Sequence, residues 1–362
     1  MITRRNVKGW LTAGFVVAGL LAACGGGDSG VPLVASVYAV TNLVSDGPAV
    51  SAAHTDANLK NGWGLAFNPK GFAWVAANGT SKSTLYDGNG VPQSLVVSVP
   101  ATSDAKPTGI VFNATQDFKV TQGTASAPAP FIFVGEAGTV SGWAPSVNAT
   151  ASITMFDGSA GNKVYKGLAI ASFSGANYLY AADFHNGKVD IFNGSFAPTT
   201  LPGGFANPAL PAGYAPFGIQ AIGDRIYVAY TLRAATGDDG QGGPGVGVVA
   251  VFDTGGTLIK QLAVGGALNA PWGLAMAPAN FGAVSGALLV GNFGDGRINA
   301  FDPVTGNLLG TLGKADGTPI VVDGLWGMAF GNDVQNQPSN TLFFAAGPAD
   351  EAHGVYGRID LK

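Results

Sequence analysis

The chain has 362 residues, 56 of them Gly and 21 Pro, and its 18 Lys and Arg against 22 Asp and Glu leave a formal charge of −4. This acidic balance disfavours a nucleic-acid partner, and a single cysteine, Cys24, excludes an intramolecular disulfide and any CxxC metal or redox site. Charged residues are only 11% of the chain, which with so much glycine predicts many short strands joined by tight turns.

At the N-terminus Arg4, Arg5 and Lys8 precede an apolar run from Trp10 to Ala23, the layout of a secretory signal and too short to span a bilayer. The run ends in Leu21-Ala22-Ala23-Cys24, which resembles the lipobox at which bacteria attach diacylglycerol to the thiol and then cleave. The expected organisation is a signal peptide over 1–23, a lipidated Cys24 with a flexible tether over 24–36, and one domain over 37–362. Cleavage removes three basic residues and no acid, taking the formal charge from −4 to −7. Gly25 in place of Asp after the anchor resembles the pattern sorted to the outer membrane of a Gram-negative cell. The expected location is therefore the cell envelope, on its periplasmic or surface face, with membrane contact through the lipid alone.

Along the rest of the chain one phrase recurs six times. Trp63-Gly64-Leu65-Ala66-Phe67 is followed by Thr108-Gly109-Ile110, Lys166-Gly167-Leu168, Phe217-Gly218-Ile219, Trp272-Gly273-Leu274 and Trp326-Gly327-Met328, the glycines standing 45, 58, 51, 55 and 54 residues apart. A second apolar run follows each phrase, as in 73–77, 131–134 and 178–182, and a third follows a short Gly-rich turn. Fourth strands are clear at 94–99, 151–156, 258–264 and 308–312 and weak around 196–201. The sixth repeat lacks a fourth strand, and the strand-like segment 37–43 is available to supply it.

This pattern predicts an all-β chain folded as a six-bladed β-propeller of four-stranded blades, closed by the N-terminal strand pairing with the last blade. The recurring Gly marks close backbone approach near the axis. Trp63, Trp272 and Trp326 are expected between blades, because Trp63, Leu65 and Phe67 share one face of their strand.

Several segments resemble an uncharacterised bacterial β-propeller family, some of whose members carry a PEP-CTERM tail. They are Thr41-Asn42-Leu43-Val44-Ser45-Asp46, the stretch from His54-Thr55-Asp56 to Leu65, Ser83-Thr84-Leu85-Tyr86-Asp87-Gly88, residues 210–216, and Gly347-Pro348-Ala349-Asp350-Glu351-Ala352-His353-Gly354. More loosely, Val290-Gly291-Asn292-Phe293-Gly294-Asp295-Gly296-Arg297-Ile298 resembles an NHL-like repeat. Such repeats serve binding modules, lyases and lactonases alike, so the resemblance implies a fold and no particular activity.

In a propeller the turns between second and third strands and those between blades share one face, here called the top. That face receives His54 and Asp56, Asn78, Glu136, Asp183 and His185, Arg233, Asp238 and Asp239, Asn292 and Asp295, and Asp350, Glu351 and His353. All three histidines fall there. His54, Asp56, Asp183, His185, Asp350, Glu351 and His353 form a candidate ligand or metal site, with Zn or Ca as the ions such donors suit. Arg233, Asp238 and Asp239 belong to a candidate binding loop over 233–245, and residues 203–216 are a candidate wall over the central pocket. The Asp and Asn residues of the hairpins, among them Asp295, Asp302 and Asn193, read as turn chemistry.

No GxSxG elbow, P-loop or dinucleotide fingerprint is present. The expected function is a membrane-anchored binding or scaffold module for a protein, glycan or small molecule. The alternative is a metal-assisted hydrolase, lactonase or lyase built on the top-face histidines and carboxylates.

Overall fold

The computed structural model describes residues 31–100, 104–235 and 237–362; the expected signal segment and Cys24 lie outside the described residues. The structure is all-β, with three short 3-10 turns as its only described helical elements.

Six antiparallel four-stranded units follow one another along the chain. Sheet one holds Gly62–Phe67, Ala73–Ala77, Lys82–Tyr86 and Pro92–Ser98, and sheet two Pro107–Phe112, Phe131–Gly135, Thr139–Trp143 and Ile153–Asp157. Sheet three holds Tyr165–Phe173, Ala176–Asp183, Lys188–Asn193 and a fourth strand of only two residues, Pro198–Thr199. Sheet four comprises Tyr214–Ile222, Arg225–Arg233, Val248–Asp253 and Leu258–Val264, and sheet five Pro271–Met276, Leu288–Asn292, Ile298–Phe301 and Leu308–Gly313. Sheet six is Leu325–Phe330, Leu342–Ala346 and Val355–Leu361, completed by the N-terminal strand Leu33–Ser45.

That closing strand starts at Leu33, earlier than the expected 37, because its first residues also find partners. Tyr38 pairs with Leu361 and Ser45 with Val355 in antiparallel register, while Leu33 and Val37 pair in parallel with Thr311 and Gly313 of sheet five. One strand thus joins sheets five and six, and residues 33–36 leave the expected tether.

Second strands lie between neighbouring sheets and are buried on both faces. Ala73–Ala77, Phe131–Gly135, Leu288–Asn292 and Leu342–Ala346 are buried at every residue, which is why they read as continuous apolar runs without alternation. The core is a set of clusters between adjacent sheets. Trp74 of sheet one stacks on Phe131 of sheet two at 4.0 Å and packs beside Trp143, for example.

The first strands meet around the axis, and the glycine of each phrase explains how. A Cβ at Gly64 would lie 2.4 Å from the Thr108 carbonyl oxygen of sheet two, and one at Gly109 would lie 2.4 Å from the Leu168 nitrogen of sheet three. Gly218 faces the Trp272 oxygen at 2.1 Å, and Gly327 faces the Trp63 oxygen at 2.5 Å, returning the series to sheet one. At five of the six glycines a Cβ would come within 3 Å of the next first strand, and at Gly167 within 3.2 Å, so each first strand rests closely on the next and the six form a closed ring. This is the arrangement of a β-propeller.

Two features depart from the sequence reading. A hairpin, Lys119–Gln122 with Ala125–Pro128, is inserted between the first two strands of sheet two, and the adjoining Phe118 packs edge-on against Phe196 beside sheet three. The segment 203–216 is no wall over the axis. Gly203 and Phe205 donate to the carbonyls of Gly255 and Gly256, and Phe205 packs against Tyr180 and Phe252, so it fills the flank between sheets three and four.

Gly218→Ala must separate two backbones, and is expected to cost about 1–3 kcal/mol by overpacking, read as a lower urea midpoint. Gly47→Ala, where a Cβ meets nothing within 4 Å, should leave the midpoint within error of the parent. Equal midpoints for the two variants would contradict the close-approach account.

Candidate functional site

The residue before each phrase glycine is carried to one end of the axis by the ring. Trp63, Phe217 and Trp326 form a buried aromatic cluster there with Phe184, and Trp272 and Phe293 pack against it. Trp326 stacks on Trp63 at 3.8 Å and on Phe293 at 4.0 Å, with Phe217 and Trp272 edge-on at 5.5 and 5.9 Å. These tryptophans therefore form a plug at the centre, and the inter-sheet packing expected of them is done by residues such as Trp74.

Lys166 occupies the same position in the third phrase, and its side chain is only 2% exposed. A buried ammonium is costly unless it is paired. Its nitrogen makes a short ion pair with Glu136, lies 3.8 Å from Asp239, and stands 5.1 Å from the Trp63 ring centroid, within cation–π range. Glu136 in turn accepts a hydrogen bond from Asn78 Nδ2 at 3.0 Å. Asn61 continues the network: its Nδ2 donates to Glu351 Oε2 at 2.8 Å, and its Oδ1 accepts the Trp326 indole N–H at 3.1 Å.

Glu351 is held by an unusual backbone. Ala349, Asp350 and Glu351 have φ of 56°, 51° and 65°, a run of left-handed residues with no glycine among them. Each such residue costs roughly 1–2 kcal/mol. The turn is fastened by Glu351 N–H donating to Gly347 O at 3.1 Å, His353 N–H to Pro348 O at 3.2 Å, and Ala349 N–H to the Asp323 carboxylate at 2.9 Å. Burial raises the Glu351 pKa above the ordinary carboxyl value of 4.5, and the negative charge of Glu136 raises it further, against the lowering effect of Lys166 and the Asn61 hydrogen bond. Strain and a perturbed carboxyl on one loop are what functional sites collect.

Above the plug lies a pocket of about 260 Å³, lined by Trp63, Lys166, Phe217, Asp239, Gly240, Phe293, Trp326, Asp350 and Glu351. It has aromatic walls, a buried cation at its base, and carboxylates around its mouth. Beneath its surface the indole N–H of Trp63 is buried with no hydrogen-bond partner. A larger cavity of about 460 Å³ sits on the flank of sheet three, where the two-residue fourth strand leaves Lys188, Asp190 and Leu201 uncovered. Its charges are engaged with each other, Asp190 pairing with Lys163 and Lys188, and it lies away from the strained loop.

Of the residues expected to converge, the loop acids do and the histidines do not. Asp239, Asp350 and Glu351 line the axial pocket. His185 pairs with Asp238 at 2.6 Å, His353 with Asp46 at 3.2 Å, and His54 sits in a short strand beside Val44. Asp183 is fully buried and is taken up by Lys163 and Asn186, while Asp56 accepts from Asn58 and from the Tyr86 hydroxyl. Arg233 donates to the His185 carbonyl oxygen at 2.6 Å, tying the 233–245 loop to sheet three. Among the described residues no group of three or more His, Cys, Asp or Glu side chains is arranged to hold a metal ion. The expected histidine-centred Zn or Ca site is therefore not assembled, because the three loops that carry those histidines end in separate ion pairs or strand contacts. The turn readings hold: Asp302 caps the amides of Val304 and Thr305, which lowers its pKa.

Lys166 was missed in the sequence reading although a signal existed. It is the only charged residue at the pre-glycine position among the six phrases.

No family model matches the chain. The chain is 34% identical over 337 residues to the uncharacterized protein R648 of Acanthamoeba polyphaga mimivirus, covering 89% of this chain and 79% of the relative. It belongs to the same family. A second member, the uncharacterized mimivirus protein L690, is 33% identical over 341 residues, or 90% of this chain and 86% of its own. Among solved structures, a protein of unknown function from Bacteroides thetaiotaomicron superposes with a TM-score of 0.57 at 13% identity, covering 90% of this chain and 76% of the other. The PQQ-bound aldose sugar dehydrogenase of Streptomyces coelicolor gives 0.52 at 13% identity, covering 91% and 100%. At such identities these two likenesses concern the fold of the family and not its chemistry.

Because the folded state raises the Glu351 pKa, it binds that proton more tightly than the unfolded chain does. Glu351 therefore destabilises the fold progressively as pH rises from the ordinary carboxyl value through the raised one. Glu351→Gln, which can still accept from Asn61, is expected to be more stable than the parent at pH 7 and equal to it well below pH ~4. Urea midpoints measured across pH check this, and a Gln variant less stable at pH 7 than at pH 4 relative to the parent contradicts it.

Proposed function

We propose that this chain is a six-bladed propeller lipoprotein, held on the cell envelope by Cys24, that binds a small ligand in its axial pocket. The reading as a binding module rests on one observation: a strained loop and a buried, paired lysine meet at an aromatic pocket ringed by acids. Small-molecule sites are typically concave and apolar with a few fixed polar groups. The six four-stranded sheets support the blade count, and the likeness to the bacterial propeller family with PEP-CTERM members is part of the same reading.

The anchor sets an orientation. Ser45 pairs with Val355, beside the loop that carries Glu351, so the pocket lies near the C-terminal end of the closing strand. The tether enters at the other end of that strand, 13 residues and about 40 Å away. Residues 25–32 then reach at most about 29 Å when extended. The pocket faces away from the membrane.

Cys24→Ala is expected to abolish lipid labelling and release the protein from the membrane fraction. The 233–245 loop should stay open to protease in membrane-bound parent protein. Protection of that loop by the membrane, or unchanged membrane retention of the variant, overturns the anchored orientation. The binding reading is checked separately by a thermal-shift screen of small molecules on parent protein and on Asp239→Trp, which places an indole at an exposed position of the pocket lining. Stabilising compounds that lose their effect in the variant support it, and a screen in which every stabiliser acts equally on both contradicts it.

A further inference from the structure

We infer that the outer end of sheets four and five beside the tether rests on the lipid surface, with Val304 as the side chain that enters it. The inference rests on the proposed anchoring at Cys24 and adds a protein contact to the one made by the lipid.

The described residues leave Val91, Ile259, Val264, Val304, Leu309 and Val321 as exposed large apolar side chains. Ile259, Val304 and Leu309 fall at one end of adjoining sheets, and the backbone places each of them there. Leu258 pairs with Phe252 and Lys260 with Val251, so Ile259 is the extra residue of a bulge. Leu308 pairs with Phe301 and Gly310 with Ala300, which leaves Leu309 in the same position one sheet on. Bulges re-aim a side chain out of the regular ladder. Val304 stands on the turn between the third and fourth strands of sheet five and is 78% exposed. That turn is held on both sides. The Asp302 carboxylate accepts from the amides of Val304 and Thr305 at 2.8 and 2.7 Å, and the Lys260 ammonium reaches from sheet four to donate to the carbonyls of Pro303 and Val304. In the neighbouring turn the Asp253 carboxylate accepts the Thr257 N–H at 2.8 Å. A lipid surface can therefore approach without stripping any of these three charges of its partners.

The chain that leads to the anchor names the occupant. Leu33 pairs in parallel with Thr311, and the Pro32 carbonyl accepts the Thr311 N–H at 2.9 Å. Read backward from Leu33, that register runs past Gly310 and Leu309 toward the 302–307 turn. Residues 25–32 span at most about 29 Å when extended, so an anchored Cys24 holds this end of the molecule against the bilayer and leaves the other end in water. Apolar side chains presented at such an interface gain by leaving water. Val264 and Val321 stand at the far end, Val264 as the last residue of its strand and Val321 before Val322, whose N–H donates to Gly296 O in the turn after the second strand of sheet five.

Once Cys24 carries lipid the chain has no other cysteine, so Val304→Cys and Val321→Cys each introduce a single free thiol. Both positions are exposed, and both variants should keep the urea midpoint of the parent. The full-length lipidated variants are bound to the outside of phosphatidylethanolamine and phosphatidylglycerol vesicles and checked by co-flotation. The rate of modification by a charged maleimide is then measured before and after the vesicles are dissolved in detergent. The thiol at position 304 is expected to react about five-fold or more slowly in vesicles than in detergent. Because the contact is apolar, that protection should persist at high salt. The thiol at position 321 should react at one rate in both states. Equal rates at position 304 in protein that still floats overturn the contact and leave the anchor standing. Slow reaction there in both states, rising on dilution, assigns the patch to a second copy of the chain and overturns the lipid surface as its occupant. Protection at position 321 in place of 304 overturns the contact together with the anchored orientation. Protein that does not float with the vesicles overturns the anchor and the contact alike.

Discussion

The six phrase glycines set everything else at the axis. Each lets one first strand lie directly on the backbone of the next, and that approach fixes the ring at a radius too small for side chains. What precedes each glycine must then be pushed toward one end. Trp63, Lys166, Phe217 and Trp326 arrive at the same place from four different sheets for this single reason, and the pocket above them is the consequence.

Bringing a lysine into that plug imposes a second condition. A buried ammonium is retained only with a partner, and Glu136 reaches it from the turn between the second and third strands of sheet two. The hydrogen bonds from Glu136 through Asn78 and Asn61 to Glu351 then link three sheets across the top of the molecule. At the far end, the 347–354 turn holds three left-handed non-glycine residues in order to point Glu351 inward. Backbone strain, a carboxyl shifted upward and a buried ion pair occupy one small region, while the rest of the sheets follow ordinary propensity and packing. Local rules of this kind are broken where a site is built.

Much of the fold was legible because its strongest constraint is written in the residues themselves. A glycine that must contact backbone recurs at every copy, and second strands buried on both faces read as unbroken apolar runs. The closing strand was found because the sixth repeat lacked a partner, although its start at Leu33 depends on a pairing with sheet five that no local pattern announces. The hairpin after Phe118 was invisible for a similar reason, since it is held by packing against Phe196 of a neighbouring sheet. The site was legible only in part. Sequence order assigns a loop to the top face but not its distance from the axis, so it groups Asp350 and Glu351, which line the axial pocket, with His54, His185 and His353, which lie in separate contacts. Lys166 stood in plain view as the one charged residue before a phrase glycine, and was read as part of the repeat.

The claim at the centre of this account is that the Lys166–Glu136 pair holds the pocket together. A double-mutant cycle of Lys166→Met and Glu136→Gln, read by urea unfolding, tests it most directly. Glu136→Gln leaves the buried Lys166 ammonium with only Asp239 at 3.8 Å and is predicted to cost up to about 3–5 kcal/mol, while Lys166→Met leaves the partly exposed Glu136, still bonded to Asn78, and is predicted to cost less. The double variant is predicted to cost clearly less than the two together, with a coupling energy above about 1 kcal/mol. Additive losses would contradict the account.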